Sequence, residues 1–315
     1  MQHCTSFKLA KTQIIEPFVF SINMDVKAIE RLIKISQEHP LMPETYIPWH
    51  EEPKAEEIFL PEVLTSLQGL EIYSTLTPAQ KLELGRHELV QVIASYAWGE
   101  CLFCLFMTRH MLTLPQDNVE HRFLRRELIE ELRHQEMFMQ AIAKIDGSPL
   151  PQTRMHKFIG EFSNKYLPAD YLFMGSVSVE LVTDVYGNNT RRNPQVYQVL
   201  RKMFDLHNIE EGRHIMFTKA LLERYSLKAG YIKRTLYSYV ILMNIYFIRT
   251  MYVKREIFER IGIENPDQVY KLAYNNFKQK FADNCLKDII EFVDSWKGFN
   301  RVTRWAWRSV LGAKV

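Results

Sequence analysis

Glu130-Glu131-Leu132-Arg133-His134 recurs 80 positions later as Glu210-Glu211-Gly212-Arg213-His214. In both copies a glutamate and a histidine stand at i and i+3. On a helix that spacing sets both side chains on one face, a turn apart. A carboxylate and an imidazole so placed can grip a single metal ion. One copy of Glu-x-x-His is an ordinary helix-surface pair, but two copies sharing Glu-Glu-x-Arg-His on separate long helices are hard to read that way. His207 extends the second copy, because His207, Glu211 and His214 fall at i, i+4 and i+7 and form one stripe.

Two other glutamates are out of place for surface groups. Glu100 is the one charge in the apolar stretch 89–108, LVQVIASYAWGECLFCLFMT, with Tyr96, Phe103 and Cys104 as its neighbours at helical spacing. Glu180 lies in the stretch 171–186, where Asp184 is the other charge and no Lys or Arg is present. An unpaired carboxylate in an apolar interior is expensive, so such groups neutralise, pair or bind metal. The order is then Glu, Glu-x-x-His, Glu, Glu-x-x-His on four long helices, the arrangement of ferritin-like di-iron bundles. Four carboxylates balance two divalent cations, and mixed oxygen and imidazole donors suit iron or manganese.

Helix signals agree with this arrangement. Thr77-Pro78-Ala79-Gln80 reads as an N-cap, a proline at the first helical position and a capping-box glutamine, opening a helix towards Leu114-Pro115. Asp117 with Glu120 marks the next start and Gly147-Ser148-Pro149 its stop. Asn193-Pro194 opens a helix reaching Tyr225, and Asn265-Pro266 opens another. Strand alternation and Asn-Gly hairpin signals are missing. The expectation is all-α: a ferritin-like four-helix bundle core with additional N- and C-terminal helices, in a single domain 1–315. Residues 1–60, broken by prolines, form a wrapping segment. Residues 77–226 form the metal-binding bundle, and 227–315 form additional helices.

Composition narrows the class. Net charge is +3, from 40 basic and 37 acidic residues, which argues against a nucleic-acid surface or an anionic-membrane surface. With 47% hydrophobic residues the chain can bury a large core. The apolar stretches 89–108 and 237–253 read as core helices, since Glu100 and Arg249 are costly in lipid. The four cysteines are too few for a disulfide scaffold and fit the reducing cytoplasm. The N-terminus shows no basic start followed by an apolar region, so no signal peptide is expected.

The chain resembles the p-aminobenzoate N-oxygenase family of di-iron arylamine oxygenases. The resemblance rests on Glu100, Glu131-Leu-Arg-His134, Glu180 and His207-Asn-Ile-Glu-Glu211-Gly-Arg-His214, with Leu60-Pro-Glu-Val-Leu-Thr-Ser-Leu and Leu76-Thr-Pro-Ala-Gln-Lys upstream. It covers roughly residues 55–220, and His-x-x-x-Glu-x-x-His is its specific element. It implies two irons, O2 as co-substrate and N-oxygenation of an arylamine. It also implies bridging carboxylates Glu131 and Glu211, with Glu100 and His134 completing one iron and Glu180, His207 and His214 the other. The same ligands also fit a di-iron C–H hydroxylase or desaturase, and a ferritin-like ferroxidase is the reading from another class.

Asp184, four residues after Glu180, is the expected carboxylate partner of one imidazole. Implied partners are a small-molecule substrate and an external electron donor protein, since the chain has no Gly-rich dinucleotide fingerprint; a homodimer is an open alternative. Cys101 and Cys104 read as small core residues, and His87, His110, His121 and His156 as surface groups. Glu136 and Glu210 read as solvated or supporting neighbours. Trp305 and Trp307 read as part of a docking tail.

Overall fold

The structure, a computed structural model, describes residues 26–315. The N-terminal reading of no signal peptide, Cys4 and the first part of the wrapping segment lie outside these residues. The fold is all-α, and among the described residues the one extended pairing is an isolated bridge between Ile58 and Val196.

Four long helices make the bundle: α4 (Pro78–Met111), α5 (Val119–Lys144), α7 (Ala169–Arg192) and α8 (Gln198–Lys228). They close a ring, with α4 against α5, α5 against α8, α8 against α7 and α7 against α4. The two motif-bearing helices α5 and α8 are therefore direct neighbours. A shorter helix, α6 (Arg154–Tyr166), comes between α5 and α7 in the chain and packs on α4.

The caps explain where these helices begin and end. Thr77 accepts from Gln80 N while the Gln80 side chain accepts from Thr77 N, the reciprocal box the sequence spells. Helix α5 is capped by Asn118, one residue later than Asp117, because the Asn118 side chain accepts from Glu120 N. The start of α8 also differs from the expected Asn193-Pro194. Asn193 instead closes α7 and accepts from Gln195 N, and Ile58 exchanges backbone hydrogen bonds with Gln195 and Tyr197. That pairing holds 195–197 extended, so the helix begins at Gln198.

Other helices surround the ring. Helix α1 (Val26–Glu38) lies along α5 and α2 (Pro43–Tyr46) touches α8, where the Tyr46 hydroxyl donates to Asp205 at 2.5 Å. The short α3 (Glu71–Thr75) leads into α4. Helix α9 (Tyr231–Tyr252) packs on α7 and α4. Its Arg249 is buried and donates to the carbonyls of Val310 and Leu311.

Beyond α9, α10 (Arg255–Arg260), α11 (Pro266–Cys285) and α12 (Lys287–Ser295) cover α4 and α7. Helix α13 (Arg301–Leu311) docks on α9. Of its two tryptophans, Trp307 is buried and donates to Ser238, while Trp305 is exposed. Among the described residues one helix, Pro78–Met111, is long and apolar enough to cross a membrane, but 61% of its apolar window is buried inside the protein.

Candidate metal centre

Helical phase brings the singled-out residues to one space inside the ring. Glu131, His134, His207, Glu211 and His214 are 4% exposed or less. Glu211 Oε1 lies 3.5 Å from His134 Nδ1, 3.4 Å from His207 Nε2 and 3.5 Å from His214 Nδ1. Glu131 divides its two oxygens, with Oε2 3.7 Å from His134 Nδ1 and Oε1 3.1 Å from His214 Nδ1. Glu100 Oε1 stands 3.4 Å from His207 Nε2 and 3.8 Å from His134 Nδ1.

By mutual distance the donors form two groups. Glu100, His134, His207 and Glu211 make one, and Glu127, Glu131 and His214 the other. His207 thus sits with Glu100 and His134, on the side opposite to the one the resemblance implied. Glu180 belongs to neither group by distance. It is buried, both its oxygens lack a donor, and burial with the charges of Glu211, Glu127 and Glu131 holds its carboxyl well above the usual range.

The outer nitrogens of two imidazoles are fixed across the helix pair. His134 Nε2 donates to Glu210 at 2.8 Å, and His214 Nε2 donates to Glu130 at 2.9 Å. Each of these carboxylates also meets an arginine: Arg133 lies 3.3 Å from Glu210 and Arg213 lies 3.0 Å from Glu130. Ser36 of α1 donates to Glu130 as well. The two Glu–Arg pairs cancel in charge, so the surplus of negative charge belongs to the inner carboxylates.

Asp184 does not hold a histidine. It accepts from Asn188 at 2.6 Å and from Asn208 at 2.7 Å, and the partners expected of it are Glu210 and Glu130 instead. Sharing a helical face with Glu180 was too weak a criterion, because a ring nitrogen is reached from the neighbouring helix.

The buried atoms left without a partner test whether metal fits. Glu100 Oε2, Glu131 Oε2, Glu211 Oε2, both oxygens of Glu127 and of Glu180, and Nδ1 of His134 and of His214 all lack a hydrogen bond. Buried polar atoms are rarely orphaned, and here they converge. With Nε2 of His134 and His214 given to carboxylates, each Nδ1, once deprotonated, turns its lone pair to the cluster. This donor set fits two divalent cations with nitrogen and oxygen preference.

Electrostatics agree. Burial, then the Glu131 charge, pushes Glu100 well above the carboxylate range. Burial also pushes Glu131 up, but the close imidazoles of His134 and His214 outweigh it and hold Glu131 at about 2. Burial drives His134 and His214 down, yet their carboxylate neighbours carry both well above the ordinary value. Burial lowers His207 to about 3, so it is a neutral imidazole. A cation entering here replaces protons that now offset crowded negative charge.

Glu127 is the residue that sequence reasoning missed. It is fully buried, burial raises it to about 8, and it lies 3.9 Å from His214 Nδ1. The signal was present, since the repeat is eight residues long rather than five. Glu127-Leu-Ile-Glu-Glu-Leu-Arg-His134 aligns with His207-Asn-Ile-Glu-Glu-Gly-Arg-His214. Glu127 occupies in the first copy the position that His207 holds in the second.

Several minor readings change. Cys101 is exposed and Cys104 half-buried. His110, His121 and His156 are buried, with His110 paired to Glu120 and His156 held between Thr153 and Thr250. Glu136 is exposed, whereas Glu210 is 1% exposed.

Beside the carboxylates lies a cavity of about 480 Å³, reached by Glu100, Glu131, Glu180, His207 and Glu211 and walled by α4, α6, α7 and α9. Two of its lining residues, Leu236 at 47% and Met243 at 42% exposure, put its mouth on α9. The pocket places open space directly against the donor cluster.

Fold and site together define a helical-bundle protein with a buried carboxylate–imidazole centre suited to metal. Residues 23–297 match the family described as p-aminobenzoate N-oxygenase AurF, and the chain belongs to that family of di-iron arylamine N-oxygenases. A comparison with curated proteins finds no match.

Proposed function

We propose that this chain is an O2-dependent di-iron oxygenase that oxidises an amine nitrogen. In this reading Glu100, Glu131, His134, Glu180, His207, Glu211 and His214 hold the irons, and Glu127 adds a further carboxylate. One observation carries it: His134 and His214 each turn an unpartnered Nδ1 towards orphaned carboxylate oxygens, while Nε2 is fixed by a glutamate of the facing helix. When bound, the iron pair supplies the redox chemistry that activates O2.

The chain's residues do the positioning. Glu131, with one oxygen towards each imidazole, spans the two donor groups. Glu130 and Glu210 fix the ring orientations. The apolar cavity keeps bulk water away and sets the substrate nitrogen beside Glu100 and Glu180. The overall reaction consumes the amine, O2, two electrons and two protons, and yields the hydroxylamine and water. Repeated turnover leads to nitroso and nitro products. The electrons come from a separate donor protein in the cytoplasm, because the sequence carries no dinucleotide-binding fingerprint.

The test is metal analysis followed by turnover. Protein loaded with ferrous ion and given a reductant, O2 and a panel of aminoarenes should yield products heavier by oxygen. Protein that binds iron but hydroxylates or desaturates carbon would support the C–H oxidation reading instead. Manganese in place of iron would correct the metal and leave the ligands standing.

A further inference from the structure

The family's name refers to an amine that carries a carboxylate, and the cavity of this chain is built for something else. Among the described residues no Lys or Arg lines it. The arginines close to its wall face away: Arg109 donates to the carbonyls of Asn164 and Leu167, and Arg249 to those of Val310 and Leu311. His156, the one lining imidazole outside the donor cluster, is engaged at both nitrogens by Thr153 and Thr250. Burial and the nearby Lys254 lower its pKa, so it carries no charge at neutral pH.

Most of what remains is apolar. Trp98, Phe103, Phe106, Phe247 and Met251 form much of the wall. The hydroxyls of Ser95, Ser176 and Thr183 are spent on main-chain carbonyls of their own helices. Asn164, Asn244 and the Tyr252 hydroxyl are polar exceptions. Asn164 is 6% exposed, its Nδ2 donates to Gly160 O, and its Oδ1 has no donor. The wall therefore offers an acceptor that lacks a hydrogen and, among the described residues, no cation that would neutralise an anion.

Resting on the N-oxygenase reading, we propose that the cavity selects a neutral, largely apolar arylamine whose far end bears no carboxylate or phosphate. A polar substituent there is a hydrogen-bond donor for Asn164. A carboxylate drawn into this space would meet no Lys or Arg on the wall among the described residues, and an uncompensated buried charge is strongly disfavoured. The volume, about 480 Å³, falls in the ~300–1,000 Å³ range of pockets for drug-sized ligands, so more than one ring has room.

The experiment is anaerobic binding to the ferrous-loaded protein, read by calorimetry with no turnover. The ligands are 4-aminobenzoate, its methyl ester and 4-aminobiphenyl. The ester and the biphenyl should bind at least ~10-fold tighter than the acid. Equal or tighter binding of the acid, or no binding by any of the three, overturns the proposal.

Met243→Arg then introduces a cation at the mouth, where the half-exposed side chain leaves room for the charged head. It should narrow the gap between ester and acid. A gap unchanged in that variant means that shape sets the preference, and the charge argument is wrong. Product analysis with O2 is scored separately. An ester that binds as expected but gains no oxygen counts against the N-oxygenase reading and leaves this inference intact.

Discussion

His134 Nε2 on α5 donates to the Glu210 carboxylate on α8 at 2.8 Å, and the reverse contact, His214 of α8 to Glu130 of α5, is 2.9 Å. Each repeat thus orients the imidazole of the other. Glu210→Gln and Glu130→Gln should each weaken metal binding by roughly 10–100-fold, the usual loss when a ligand's supporting carboxylate is removed. A competition titration against a coloured chelator measures it. Affinity unchanged in both variants would show that the crossed pairs are bystanders.

Glu127 and Glu131 share a helix face but not a role. Glu131→Ala removes the carboxylate whose oxygens face both His134 and His214, so most of the metal should be lost. Glu127→Gln keeps size and removes one charge from the His214 side, so the first equivalent of metal should bind normally and the second weakly. Titration of the cobalt-substituted protein, followed by its visible absorption, separates the two. Two tight equivalents in Glu127→Gln would remove Glu127 from the ligand set.

Glu88 governs a pH dependence away from the metal centre. It is fully buried, accepts from Ser66 N at 2.9 Å and pairs with the Ser66 hydroxyl. Burial, only partly offset by Ser66, raises its pKa from the ordinary 4.5 to about 7. An acid raised in the folded state stays protonated while the unfolded chain ionises. Stability is therefore lost as pH rises from 4.5 to 7 and does not recover above that. Glu88→Gln escapes the penalty, so its stability relative to wild type should grow by about 3 kcal/mol between pH 4.5 and pH 8. Urea unfolding at the two pH values tests the sign, and a constant difference refutes it.

Trp307 anchors the C-terminal helix. It is fully buried, donates to Ser238 at 3.1 Å and meets Phe299 edge-on. Trp307→Ala should cost ~3–5 kcal/mol of stability, as for other large aromatic truncations in a core. Exposed Trp305→Ala should cost a few tenths of that or less. Chemical denaturation of both variants gives the comparison.

The sequence by itself determined the helical fold and which residues could share a face, because both depend on spacing within one helix. The capping box at Thr77, the paired Glu-x-x-His motifs and the lone Glu100 and Glu180 in apolar runs are local signals of this kind. The longer repeat that contains Glu127 was also local, and went unread because Glu127 and His207 are different residue types. Tertiary structure alone decided what meets what. His134 finds Glu210 across 76 residues and His214 finds Glu130 across 84. His207 lies beside Glu100 because α8 turns that face towards α4. Asp184 bonds to Asn188 and Asn208 because its face looks to α8's Asn208, away from every imidazole nitrogen. The cavity, which no Lys or Arg lines among the described residues, lies where α6 and α9 close over α4 and α7. These relations depend on the rotation of each helix about its axis, which the packing of the whole core sets and no spacing within a single helix encodes.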